Sequence, residues 1–343
     1  MYPGSQRWLG TPTFASVQVP HLGRDLRPGP SRKDQSMLDS LAPWNATLTL
    51  AEHSVIVYAL SVAGLALFAF FVKSWVSTNE VTGRYRNGVY AGMCITGIAF
   101  LSYVLLVLEF ALGYDRKGDS WVPNANAILS WAPRYFDWTV TVPLLVVELL
   151  AVATLAGAAA RRLRAVGIAA AFLMISTGFI GGVVIDSGTN TGALWTWGII
   201  SGVFMVILYF LVIYVVVKAG RDLRGTEAAA TLRNAGILLI VTWMAYPVIF
   251  GLQGWGHGGA IITWMQVVLS AADIVAKVGF GAMIHKVAKL RSAEDVRAGL
   301  DTLPESLWVS SEKLSDGVLP APRSLAGSAA SVPAGDGEHR ARH

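Results

Sequence analysis

Two clusters of charged residues in apolar surroundings carry the chemistry of this sequence. Asp273 and Lys277 lie inside the apolar run from Ile261 to Val287. Ionised side chains in hydrocarbon are costly and are usually retained for a function. Four residues apart, these two share one face of a helix, one turn from each other. Two readings are open: a buried ion pair that spares two charges, or a lysine whose amine is used covalently. A desolvated lysine loses its proton readily and can condense with an aldehyde, and a nearby carboxylate would steady the protonated Schiff base. The second cluster is Arg134, Asp137, Thr141 and Glu148. On a helix turning about 100° per residue they share a stripe about 60° wide. They are either unrelated polar residues at a bundle interface or a functional set. Asp137 and Glu148 are separated by roughly 16 Å of helix, about half a hydrocarbon core. Two carboxyls at different depths on one stripe are what a proton relay requires.

The elements that must position these residues are membrane helices. Of 343 residues, 54% are hydrophobic and only 14% charged, with a mean hydropathy of +0.51. Seven apolar segments, at about 50–76, 88–113, 126–151, 163–185, 193–218, 232–254 and 261–289, are long enough to span a bilayer. None alternates with period two, so an all-α seven-helix membrane bundle is expected rather than a barrel. Basic residues concentrate in alternate connections: Arg84 and Arg86, then Arg161, Arg162 and Arg164, then Lys218, Arg221, Arg224 and Arg233, then Lys286, Lys289 and Arg291. The opposite side has only Arg116 and Lys117, beside Asp115 and Asp119. This predicts an external N-terminus and a cytoplasmic C-terminus. Residues 1–45 read as a polar extracellular extension, 46–291 as the membrane domain and 292–343 as a disordered cytoplasmic tail. The single cysteine, Cys94, excludes an intramolecular disulfide. No metal-ligand spacing, P-loop or nucleophile elbow occurs, and the net charge of +5 lies largely in short loops, so neither a metal nor nucleic acid is expected.

Weaker features lie on other segments. Trp243, Tyr246, Pro247 and Phe250 form one face of the sixth, either plain packing or a ligand wall, and Pro247 can kink the helix. Met174 and Gly178 lie one turn apart on the fourth segment, and Trp197, Gly198 and Met205 lie on the fifth.

Taken together these residues resemble the microbial rhodopsins, seven-helix retinal proteins, over about residues 50–290. Asp-x-x-Ala-Lys-Val-Gly-Phe-Gly at 273–281 is similar to the family's retinal-attachment sequence. Arg-Tyr-x-Asp-Trp at 134–138 with Thr-Val-Pro-Leu at 141–144 resembles the third helix of ion-pumping members, and Trp-x-x-Tyr-Pro at 243–247 resembles the sixth. The resemblance implies all-trans retinal as a protonated Schiff base on Lys277, with Asp137 and Asp273 as counterions and Arg134 nearby. It implies a pocket lined by Trp138, Trp243, Tyr246, Pro247, Phe250, Met174, Gly178 and Met205, with Leu145 at the position that tunes green against blue absorption. Asp137, Thr141 and Glu148 resemble the triplet of proteorhodopsin-type outward proton pumps, with Asp137 as proton acceptor and Glu148 as donor. Trp197-Gly198-x-x-Ser201 is similar to the fifth helix of xanthorhodopsin, which implies a possible carotenoid antenna near Gly198.

The expected function is therefore a light-driven outward proton pump in the plasma membrane, a transporter rather than an enzyme. The alternatives are a photosensor, a light-gated channel or an inward proton carrier. Glu148 favours the pump, and no transducer partner is indicated. Membrane lipid and, by resemblance, further copies of the chain are the expected neighbours. Ser102 stands where proteorhodopsin has a histidine partnering its acceptor, and the glutamate pair resembling bacteriorhodopsin's release group is absent.

Overall fold

The computed structural model describes residues 42–153 and 155–300, and the backbone of 307–309 and 312–314. The rest of the expected N-terminal extension and C-terminal tail lies outside the described residues. Seven helical spans form the molecule. They are α1 (Leu50–Val76), α2 (Arg86–Gly113), α3 (Ala132–Ala153), α4 (Gly157–Phe179), α5 (Thr191–Asp222), α6 in two segments (Glu227–Trp243 and Ala245–Leu252) and α7 (Gly259–Asp273, continuing as Phe280–Arg297). Each packs on the next and α7 returns to α1, closing a ring. Large apolar side chains such as Tyr58, Leu65, Ile199, Phe210 and Trp264 are exposed around it. With no water in a bilayer core, such a belt faces lipid, and helices satisfy every backbone group internally.

The helices outrun the apolar segments at the basic ends. Arg161, Arg162 and Arg164 lie on α4, and Lys218 and Arg221 on α5, rather than in loops. Hydropathy sees only the hydrocarbon-facing part of a helix, whereas backbone hydrogen bonding continues past it. The boundary placed at 291 is corrected for the same reason, since α7 continues to Arg297. Its polar last turns are held by side chains. Ser292 Oγ accepts from the Thr82 amide (3.0 Å), and Asp295 accepts from the Tyr85 hydroxyl (2.8 Å). Burial, helped by that bond to Asp295, pushes the Tyr85 phenol up to about 12, so it remains a donor at neutral pH. The folded part also begins inside the expected 1–45 extension, with Trp44 buried against the Trp131 ring.

A small sheet covers the opposite end. Strands β1 (Leu48–Thr49), β2 (Tyr114–Lys117) and β3 (Ser120–Pro123) are antiparallel in the order β1-β3-β2. The two-residue loop Gly118-Asp119 joins β2 to β3, and Gly118 has φ 62°, a conformation that favours glycine at the first position of a II′ hairpin turn. His53 of α1 stacks on Trp121 of β3 at 3.9 Å, fixing the sheet to the bundle.

Three departures from regular α-helix lie beside the charged cluster. Residues Ile274–Gly279 of α7 form a π turn, and so do Ile180–Val184 after α4. In α6 the helix breaks at Met244. Pro247 has no N–H for the carbonyl four residues back, that of Trp243, so the break falls where the backbone ladder loses a rung.

Candidate functional site

The π turn of α7 carries Lys277 into the middle of the bundle, 2% exposed. Its Nζ forms an ion pair with Asp137 Oδ2 of α3 and stands 3.5 Å from Asp273 Oδ1, one turn away on its own helix. The two clusters read separately in the sequence are thus one site.

The two carboxylates are held differently. Asp273 accepts hydrogen bonds from the hydroxyls of Tyr103 (2.8 Å) and Tyr246 (2.7 Å) and from Trp138 Nε1 (3.1 Å). Arg134 Nη1 lies 3.7 Å from its Oδ2. Asp137 is bonded through Oδ2 to Lys277 alone, and its Oδ1 is buried without a partner. Thr141 Oγ1 donates to the main-chain carbonyl of Asp137 at 3.0 Å, one turn away on α3. Arg134 donates to Tyr103 (3.0 Å), Gln266 (2.6 Å) and Ser270 (3.4 Å).

Glu148 is buried on the same face of α3, toward the other end, and no described residue bonds to or pairs with it. Its Oε1 fits against Gly92, where an added Cβ would come within 2.8 Å. Ser102 donates to the carbonyl of Pro133 at 2.7 Å, so its hydroxyl is occupied by backbone rather than by Asp137.

Lys277 also opens into an internal cavity of about 120 Å³. A single water needs roughly 10–15 Å³ on the same measure, so the cavity is sized for an organic ligand. Trp138, Leu145, Met174, Gly178, Met205, Trp243, Tyr246, Pro247 and Phe250, the pocket residues expected from sequence, all line it, with Arg134 and Gly198. Gly198 backs directly onto Phe250, whose Cε1 would lie 2.6 Å from an added Cβ, so packing alone requires a glycine there. A largely apolar chamber with an amine in its lining fits an apolar aldehyde, the class to which retinal belongs.

Sequence reasoning did not single out Tyr103, Gln266 or Ser270. The last two were findable: 266, 270, 273 and 277 step by four, three and four, one face of a helix. Tyr103 gave only the weak signal of one hydroxyl among four in its apolar segment, with Tyr90, Thr96 and Ser102.

Comparison with known proteins agrees with this geometry. The family model of bacteriorhodopsin-like proteins matches residues 50–290. This chain belongs to the bacteriorhodopsin-like family. Bacteriorhodopsin-I of Haloarcula marismortui is 34% identical over 229 residues, 64% of this chain and 83% of the relative. Archaerhodopsin-3 of Halorubrum sodomense is 32% identical over 226 residues, 64% and 78%. Among solved structures, xanthorhodopsin, described as a light-driven ion pump with dual chromophore, superposes with a TM-score of 0.66 at 28% identity, over 73% of this chain and 98% of its own. A thermophilic rhodopsin gives 0.67 at 25% identity over the same shares. The bacteriorhodopsin-like chain is therefore a multi-pass membrane protein of the type 1 rhodopsins, a family of retinal proteins that includes light-driven ion transporters.

Proposed function

We propose that the chain is a light-driven outward proton pump that carries retinal on Lys277. The observation that carries this reading is the placement of two unequal carboxyls on α3, Asp137 paired with the amine and Glu148 buried beyond it without a cation. When bound, retinal supplies the absorption of light and the movement that disturbs the ion pair at Nζ.

The chain's own groups supply the direction. Asp273 has three donors and a nearby guanidinium, so its negative charge is already satisfied and it is a poor base. Asp137 has a single donor, the amine itself, and is the carboxylate that takes a proton from Nζ. A buried carboxyl without a partner is tolerated only uncharged, so Glu148 holds a proton and returns one to Nζ. Arg134, bonded to Gln266 and Ser270 on α7, positions Asp273 through Tyr103 and is not itself a proton carrier. The basic residues at the Glu148 end support a cytoplasmic assignment for it, with Asp137 on the outer side.

Illumination of cells expressing the chain in unbuffered salt tests the reading. Acidification that a protonophore abolishes is expected, and an unchanged pH would favour a photosensor. The carotenoid antenna near Gly198 is tested separately, by adding a hydroxylated carotenoid and looking for energy transfer to retinal.

A further inference from the structure

A second, smaller cavity of about 10 Å³ lies at the other end of α3, large enough for roughly one water. Glu148 and His285 of α7 both line it. Both are more than nine-tenths buried, and each has a ring or carboxyl atom, Nδ1 of His285 and Oε2 of Glu148, with no partner. Such orphaned buried polar atoms are rare and call for a reason. The other nitrogen of the same ring, Nε2, stands 3.5 Å from Glu80 Oε2 in the first connection. Glu80 is 38% exposed and also accepts from Lys289 Nζ at 2.9 Å. The ring therefore meets a carboxylate that reaches solvent through Nε2 and shares a small cavity with an internal carboxyl. Glycines open the cavity on both sides: an added Cβ would lie 2.8 Å from Glu148 Oε1 at Gly92 and 3.5 Å from it at Gly281.

We propose that His285 is the relay through which Glu148 regains its proton from cytoplasmic water, with Glu80 collecting protons at the mouth. The proposal rests on the reading of Glu148 as the internal proton donor. Starting from the tautomer with its proton on Nδ1, Nε2 accepts a proton from the Glu80 side, and Nδ1 releases the one it held toward Glu148 Oε2 across the small cavity. The neutral ring then returns to its starting tautomer by exchange with water. Only N–H and O–H bonds are made and broken. The charged groups acting on the ring are Lys73 of α1, Glu80 of the first connection and Lys289 of α7 itself, with Glu148 of α3 across the cavity.

The retinal-loaded full chain in vesicles separates the two ideas. Visible absorbance follows proton return to Lys277, and a pH-sensitive dye follows uptake from bulk water. In His285→Asn, uptake is expected to slow about ten-fold or more while return to Lys277 keeps its rate, and added imidazole should restore uptake. In the dark, deuterium exchange of the Glu148 carboxyl, read from its C=O stretch, should slow in parallel. Uptake and dark exchange at native rates in His285→Asn would overturn the relay and leave the donor reading standing. An unchanged return step in Glu148→Gln would overturn the donor reading instead. If His285→Asn loses its colour, Glu80→Gln at the exposed mouth takes its place; slowed uptake with an unchanged return step supports the route, and native uptake sinks it.

Discussion

At the scale of residues, the site depends on an amine set between two carboxylates that are held unequally. Lys277→Ala should abolish visible absorption after retinal is added, read directly on purified protein. It also strands Asp137 in the bundle, and losing one member of a buried pair costs about 3–5 kcal/mol, so its apoprotein should melt earlier than the native one. Asp137→Asn should move the colour to the red, because removing negative charge near the amine lowers the excitation energy, and should stop acidification on illumination. A blue shift would overturn the counterion role. Gly92→Ala is a subtler probe. Its new methyl falls 2.8 Å from Glu148 Oε1 and must displace that carboxyl, so proton return should change in rate with little change in colour. The charged site residues were legible from type and spacing, because an ionisable group in an apolar run is expensive enough to be conspicuous, whereas the pocket wall came from the family resemblance. What stayed hidden was the difference between Asp137 and Asp273. That difference arises from Tyr103 and Trp138 reaching across from other helices, which no spacing within one segment reports.

At the scale of elements, hydropathy located all seven spans but not their ends or their irregularities. The π turn at Ile274–Gly279 and the break at Met244 leave no pattern in apolar content; only Pro247 signalled the second. The hairpin between α2 and α3 was missed because its strands are four residues long and half exposed, although Gly118 marks its turn. The first connection carries a pH-dependent clamp. Burial alone would raise the Glu80 carboxyl, but the hydrogen bond and charge of Lys289, with His285 adding to them, outweigh it and hold Glu80 below the usual glutamate range. A carboxyl lowered on folding contributes stability that is fully present above its unfolded value of about 4.3 and is lost as pH falls through the folded value. Melting temperature against pH should therefore fall less steeply on the acid side in Glu80→Gln than in the native chain. Identical acid limbs would remove Glu80 from the clamp.

At the scale of the whole molecule, transport direction depends on which way the bundle sits. With Cys94 replaced by serine, Lys117→Cys and Arg224→Cys place single thiols at exposed positions of opposite loops. A membrane-impermeant thiol reagent applied to intact cells should label the first and spare the second. The reverse result would invert the pump, since Asp137 and Glu148 would exchange sides.

The contrast between the two halves of the bundle has a kinetic consequence. Around Asp273, hydroxyls, an indole and a guanidinium are joined in a continuous hydrogen-bonded mesh. Toward the other end of α3, Glu148 has no such mesh around it among the described residues. That mesh reaches Asp137 only through Lys277, while Glu148 must meet the amine by its own movement or through a transient water. Withdrawing that water with concentrated sucrose should lengthen the second half of each turnover and spare the first, so the protein's hydration rather than its illumination would set how fast it works in strong light.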